Sequence, residues 1–561
     1  MIARVLDAVV ILLAAALLLI AATGGIDFDL GSLRVRLHDW VRPLAIFVIA
    51  IAARAALGTT RAKRALGAVA ARGMLALLIA TAGVYANYHV RVAGGLDSYG
   101  YVSAAHLLAA GRLSEAQPLA DVLPFDNPMS AAAPLGHVSS ADGRTSVPRF
   151  PLGLPGVMAI FTVFGSSGPF FVPLVMAYAA IVLAYLLGRD PAPAGAIGHA
   201  PGLFAAALVA VDPLFAAYAI QPMSDVPATA WLLASVWVAT KRGRVDTRPL
   251  LESAMAGVCG GMAILTRPAL LPAVIVLVLV TAGRKRSLLF MFGGTVAAFV
   301  ALQLALNVAL YGDLGASGYG SPSHMFEVSP SRLVANLSNF GKWLTYSHTA
   351  LFWLLWPGAL FVLRREESAW HISAVAAAAV VPYLLYLVFD DWESSRFLLP
   401  SIALIVILAA RALSRLSYLS HLSHLSHLLM FALALACAAT SHTFLEREGI
   451  YRLPTLEAKY ALAGEWFKAN TSERVVVLAG LHSGTIRLYG ERATIRWDQI
   501  PEQALTATLR ALMEAGYEPY LALDLPSEPP LFEERFKGQP LHTEQIARVR
   551  VVNIYKFVSA Y

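Results

Sequence analysis

The sequence predicts a mainly α-helical, polytopic membrane protein of about thirteen spans, N-terminus inside and C-terminus outside, with a small soluble α/β domain at its end. Two observations place it in the membrane. Hydrophobic residues make up 58% of the 561 positions and charged residues only 14%, whereas a soluble chain carries about 25% charge. So much apolar surface needs lipid as its solvent. A third observation orients it. The net charge of +7 comes from basic residues in short clusters between apolar runs, the pattern of loops kept on the cytoplasmic side. That distribution excludes nucleic acid as the partner behind the basic balance.

Apolar runs long enough to span lie near 5–23, 40–57, 73–90, 168–187, 201–219, 226–240, 251–265, 268–283, 288–310, 348–363, 370–389, 397–413 and 428–445. The first run has no convincing small-residue cleavage site and is expected to remain as a helix. With the N-terminus inside, five basic clusters all fall on the cytoplasmic side: Arg61, Lys63, Arg64 and Arg72; Lys241, Arg242, Arg244 and Arg248; Arg284, Lys285 and Arg286; Arg364 and Arg365; Arg411 and Arg415. Counting 151–165 as a span would reverse every later cluster. Its apolar residues start among Pro and Gly, so it is expected to lie along the outer interface.

This arrangement leaves three long outer segments, 91–150, 311–347 and 446–561. Loops of that size commonly carry function. It divides the chain into two additional helices at 1–72, a membrane domain at 73–445 and a periplasmic domain at 446–561. In the last, 475–480 and 520–525 read as strands and 501–516 as an amphipathic helix between them. Cys259 and Cys437 lie inside apolar runs and suit neither a disulfide nor a metal site. His421, His424 and His427 recur every third residue in a cytoplasmic connector, a spacing that drifts around a helix.

Four charged residues stand out. Asp97 opens a helical stretch in the first outer loop, and Asp225 sits in the tight outer turn Gln221–Pro227. Each reads as a helix cap or as an acid positioned for base or metal-ligand work. Arg267 and Arg396 break the charge asymmetry by lying at outer span ends. Arg396 has Asp390, Asp391 and Glu393 nearby for a local ion pair, but Arg267 has no neighbouring acid. Guanidinium groups suit forked hydrogen bonding to phosphate, so an anionic ligand on the outer side is the expectation. The loop 318–330, containing Tyr319 and His324, reads as an aromatic-lined binding loop.

In their order these pieces resemble the GT-C class of membrane glycosyltransferases, which includes protein O-mannosyltransferases and the lipid A aminoarabinose transferase. The matching stretches are Asp97, Tyr101, Ala105 and Gly111; Phe150-Pro151-Leu152-Gly153-Leu154-Pro155, with Leu152 departing from the second proline; Asp225; Thr266-Arg267-Pro268; and Arg396-Phe397-Leu398-Leu399-Pro400. The resemblance covers about residues 73–415. It implies transfer of a sugar from a polyprenyl-phosphate-linked donor to a glycan, lipid or protein acceptor at the outer face of the inner membrane. It implies Asp97 as general base or ligand of a divalent metal, Asp225 as its partner, and Arg267 and Arg396 on the donor phosphate; Tyr101 of the matched stretch and Tyr319 and His324 of the 318–330 loop are the substrate-binding candidates. A transporter or flippase and a non-catalytic sensor or scaffold are the alternatives. The first would place its ionisable groups near mid-membrane, and the second leaves the outer arginines unexplained.

Overall fold

The structure is a computed structural model. It describes residues 60–189, 196–240, 249–282, 285–419 and 423–558, an N-terminal hairpin of β1 (Ile26–Leu30) and β2 (Leu33–Leu37), and isolated positions elsewhere before residue 60. Apart from those positions, the expected spans at 5–23 and 40–57 and the basic cluster 241–248 lie outside the described residues.

Helices follow in order. The first group is α1 (Thr60–Asn87), α2 (Asp97–Ala109), α3 (Met129–Ala132), α4 (Gly153–Phe161), α5 (Gly168–Gly188), α6 (Ala196–Ala210) and α7 (Pro213–Ala219). Next come α8 (Asp225–Thr240), α9 (Pro249–Thr266), α10 (Leu271–Ala282), α11 (Arg286–Tyr311), α12 (Pro322–Met325) and α13 (Pro330–His348). The membrane part closes with α14 (Phe352–Val362), α15 (Glu367–Leu384), α16 (Leu399–Leu419) and α17 (Ser423–Arg447).

The expectation of about thirteen spans is not met. Among the described residues six helical segments are long and apolar enough to cross a membrane, or seven if the pair His199–Ala210 and Pro213–Ala219, bent by 67°, is one span. The reason is geometric. Helices α8, α10 and α14 have 16, 12 and 11 residues, which at about 1.5 Å per residue fall short of a hydrocarbon core of about 30 Å. Helix α8 is buried along most of its length, from Val226 to Ala239. A helix enclosed by protein is as apolar as one facing lipid, so hydropathy alone cannot separate the two. The segment Gly153–Phe164 is too short to span. Its Leu154 and Met158 are buried while Ile160, Val163 and Phe164 are exposed, the two-sided character of an interfacial helix.

Lipid tails supply no hydrophobic force between helices, so close backbone approach carries their association. The four-residue spacing of Gly257 and Gly261 sets α9 against Thr295 and Phe299 of α11. Gly188 and Gly202 do the same between α5 and α6, against Ala205 and Tyr185. Of the histidine repeat only the His427 side chain is described, and it is buried in α17.

The chain after α17 is mixed α/β. Helix α18 (Leu453–Asn470) leads to β6 (Val475–Ala479), α19 (Ser483–Gly490), β7 (Ala493–Ile495), α20 (Leu505–Glu514), β8 (Glu518–Asp524), α21 (Glu528–Arg535), β9 (Thr543–Val549) and β10 (Val552–Phe557). The sheet order is β7-β6-β8-β10-β9, with β6 parallel to both β7 and β8 and with β9 and β10 antiparallel. This unit is more than a tethered appendage. Its core takes in Leu119, Leu123 and Met129 of the long segment 91–150 beside Leu505, Leu509 and Leu521. That segment contributes its own antiparallel sheet, β3 (Glu115–Ala116) beside β5 (Thr145–Pro148) beside β4 (His137–Ser139). Arg487 fastens the two together, donating to Gln117 Oε1 at 2.5 Å and to the Ala132 carbonyl at 2.6 Å.

Candidate active site

Local backbone chemistry aims each charged side chain. Helix α9 stops at Thr266 because Pro268 disfavours helical geometry in the residue before it. Arg267 is extended (φ −143°, ψ 98°) and its side chain leaves the helix axis. The same mechanism is absent at Arg396, which sits in the 3-10 turn Glu393–Leu398 that feeds α16. Asp225 is the first residue of α8 and Asp97 the first of α2. Asp97 is not the cap residue of its helix: that position is Leu96, which makes no side-chain capping hydrogen bond. The interfacial helix α4 presses on this site from behind: a Cβ on Gly153 would lie 2.4 Å from the Leu265 carbonyl carbon and the Thr266 nitrogen, so only glycine allows the approach.

These residues meet. Arg267 Nη2 pairs with Asp225 Oδ1 at 2.5 Å, Arg396 Nε lies 3.9 Å from the same oxygen, and Arg396 Nη2 donates to Asp97 Oδ2 at 3.0 Å. The charges therefore alternate along a row, Arg267, Asp225, Arg396, Asp97. Asp225 is fully enclosed (0% exposed) while Asp97 retains 24%. Two of the local acids near Arg396 are otherwise engaged: Asp390 pairs with Lys342 at 2.8 Å, and Asp391 accepts from the Ser394 amide at 2.7 Å. Aromatic faces back the cations. Arg267 lies 5.2 Å over Phe397, and Arg396 lies 5.3 Å over Tyr218 and 5.5 Å over Phe397.

Beside the row is a cavity of about 270 Å³ walled by aromatic residues, among them Tyr101, Tyr319, Phe326, Tyr383, Tyr386 and Phe397. Arg267 and Arg149 reach it, and no acidic residue lines it. Tyr101 donates to Ser224 Oγ at 2.8 Å, and Ser224 Oγ also accepts from Arg267 Nε at 3.3 Å. Burial raises the Tyr101 hydroxyl above its ordinary range and keeps it a neutral donor. Tyr319 stacks under Arg149 at 5.4 Å. His324 is exposed on the four-residue helix α12 and is absent from the cavity wall.

Arg149, Ser224 and Tyr383 were not singled out from the sequence. Arg149 had a signal, because it is a further arginine in an outer loop, immediately before Phe150-Pro151. Its Nε is buried without a hydrogen-bond partner and, among the described residues, it has no ion pair. Tyr383, which accepts from Arg267 Nη1 at 3.3 Å, carries none. For a divalent metal, Asp97 and Asp225 are the nearest acids, and both are already paired with guanidinium groups. The described residues hold no group of three or more His, Cys, Asp or Glu able to bind one.

The fold is that of a multi-pass membrane protein with a C-terminal soluble domain, and it is similar to that of solved membrane proteins. ArnT from Cupriavidus metallidurans bound to undecaprenyl phosphate superposes with a TM-score of 0.52 at 12% identity, over 86% of this chain and 97% of that one. The apo state of ArnT gives the same TM-score and identity over 87% and 98%. The apo oligosaccharyltransferase of Archaeoglobus fulgidus gives 0.50 at 15% identity, over 80% and 69%. No family model matches the sequence, and no curated protein matches it.

Proposed function

We propose that this chain transfers a sugar from a polyprenyl-phosphate-linked donor to an acceptor at the periplasmic face of the membrane. One observation carries the reading: a row of alternating guanidinium and carboxylate groups beside an aromatic cavity that two arginines enter and no acid lines. A lipid phosphate supplies the missing negative charge, and the aromatic wall suits a sugar and the first isoprene units. The fold shared with ArnT, which has been seen bound to undecaprenyl phosphate, points the same way.

In this reading Arg267 and Arg396 hold the donor phosphate, and Arg149 adds a further guanidinium to the cavity wall. As the bond from the anomeric carbon to phosphate oxygen breaks, negative charge grows on the phosphate, and fixed guanidinium groups stabilise it without reorganising. Asp225, enclosed and shared by two arginines, orients them. Asp97 is the more accessible acid and takes the proton of the attacking acceptor hydroxyl, so a single displacement inverts the anomeric centre. An acceptor phosphate would need no base, and Asp97 would then only orient Arg396. No step of this scheme passes through a metal.

The charges at the other end of the bundle support the periplasmic orientation. Arg411 and Arg415 both pair with Glu366 at the start of α15, while Tyr383 near the end of α15 reaches Arg267. The site thus lies at the opposite end from these basic residues, which the charge asymmetry of membrane proteins assigns to the cytoplasm. The test is transfer in proteoliposomes from radiolabelled undecaprenyl-phosphate sugars against the matching nucleotide sugars. Transfer from the lipid-linked form alone is expected. Transfer from nucleotide sugars alone would overturn the proposal.

A further inference from the structure

In the sheet order β7-β6-β8, the chain leaves β6 for one side and returns to the other, so the topological switch point lies between the carboxyl ends of β6 and β8. Open α/β sheets ordinarily bind free ligands there. In this protein the place is filled by its own side chains. His482, just after β6, and Asp524, at the end of β8, lie 3.3 Å apart, and Lys459 pairs with Asp524 at 2.5 Å. Glu528 ties the two strand ends by accepting from the Leu481 amide at 2.9 Å and the Asp524 amide at 2.7 Å. Tyr460 covers His482 with ring centroids 4.6 Å apart.

On top of Tyr460 lies the segment that runs into α2. A Cβ on Gly94 would fall 2.0 Å from Glu457 Oε2 and 2.4 Å from the Tyr460 ring. Gly95 adopts φ +58°, a left-handed turn that disfavours any side chain. The Ala93 amide donates to Tyr489 Oη at 2.9 Å. Two residues past Asp97, the Tyr99 ring lies against Gly484, where a Cβ would be 2.3 Å from it. The soluble domain thus grips the chain on both sides of Asp97, which itself points to Arg396.

We propose that the soluble domain is a positioning element of the active site: its switch-point crevice is closed by Lys459 and Tyr460 and clamps residues 93–99, holding Asp97 in register with Arg396. The proposal rests on the site reading above only for its catalytic consequence, because the clamp itself can be measured without turnover. The full-length protein in detergent is compared with Tyr489→Phe and Gly484→Ala by hydrogen–deuterium exchange, by thermal unfolding and by binding of undecaprenyl phosphate. Either variant should speed exchange across 93–101 by on the order of tenfold, with exchange in α8 and undecaprenyl phosphate affinity unchanged, and with melting lowered by the lost hydrogen bond or the crowded methyl. Unchanged exchange at 93–101 overturns the clamp. So does a rise shared equally with α8, which would make the domain a general stabiliser. Failure of the wild type to bind undecaprenyl phosphate would count against the function proposed above and leave the exchange result standing.

Discussion

Arg396 Nη2 donates to Asp97 Oδ2 across 3.0 Å, although 299 positions separate the two residues in the chain. Two acids nearer in sequence, Asp390 and Asp391, are engaged by Lys342 and by the Ser394 amide instead. The pair joins the first outer loop to the start of α16, and through the shared Asp225 it extends to Arg267 at the end of α9.

Asp97→Asn keeps the shape of the side chain and removes its charge and its capacity to take a proton. Transfer is expected to fall by about a hundredfold or more, while the protein still folds, inserts and binds undecaprenyl phosphate. The measurement is turnover beside lipid phosphate binding in the same preparation. Full turnover would remove Asp97 from the proton path.

Arg149 lines the cavity with its Nε unpartnered and, among the described residues, has no ion pair. Burying such a group is costly until an anion arrives. Arg149→Gln is therefore expected to weaken undecaprenyl phosphate binding by about tenfold, or ~1.4 kcal/mol, and to make it less dependent on salt. An affinity and salt profile equal to wild type would show that Arg149 does not meet the ligand.

Gly153→Ala tests how α4 supports the arginine turn. Its new methyl would sit 2.4–2.6 Å from the backbone of Leu265 and Thr266, and neither wall is a flexible side-chain end. Overpacking of this kind costs about 1–3 kcal/mol. A lower melting temperature together with weaker undecaprenyl phosphate binding is expected. Normal binding with lowered melting would uncouple the helix from Arg267.

His137 gives the outer region a pH dependence. Burial, and then the Arg487 guanidinium, push its imidazole down from 6.5 to about 3. Between those values the unfolded chain binds a proton that the folded chain refuses, so stability rises with pH across that window and is lost as pH falls. The slope from this one group is at most about 1.4 kcal/mol per pH unit. His137→Phe should flatten the fall in melting temperature below pH 6.5, measured by calorimetry. An unchanged slope would contradict the assignment.

Membrane residence was legible in composition, and Arg267 and Arg396 stood out because they fall outside the pattern of the other basic clusters. The number of spans was not. Helix α8 is apolar from contact with protein, and the break at Thr266-Arg267-Pro268 divides helices whose lengths hydropathy cannot measure. Partners were the other gap: Asp225 for Arg267 and Asp97 for Arg396 depend on packing of distant segments. Ser224 and Tyr383 are ordinary residues until the fold sets them beside a guanidinium. His324 had suitable neighbours in sequence, yet α12 leaves it exposed and off the cavity wall. The soluble domain was readable as α/β from its strands, but its shared core with Leu119–Met129 was hidden, since nothing local marks which loop will cover a sheet.

The central claim is that the Arg267–Asp225–Arg396–Asp97 row docks a lipid phosphate. Replacing Arg267 alone would strand the enclosed Asp225, so the most direct measurement removes both together. Undecaprenyl phosphate binding is measured for purified wild type and for Arg267→Ala combined with Asp225→Asn. Loss of affinity by at least about tenfold, in a protein that still melts cooperatively, is the predicted result. Wild-type affinity in the double variant would contradict the account.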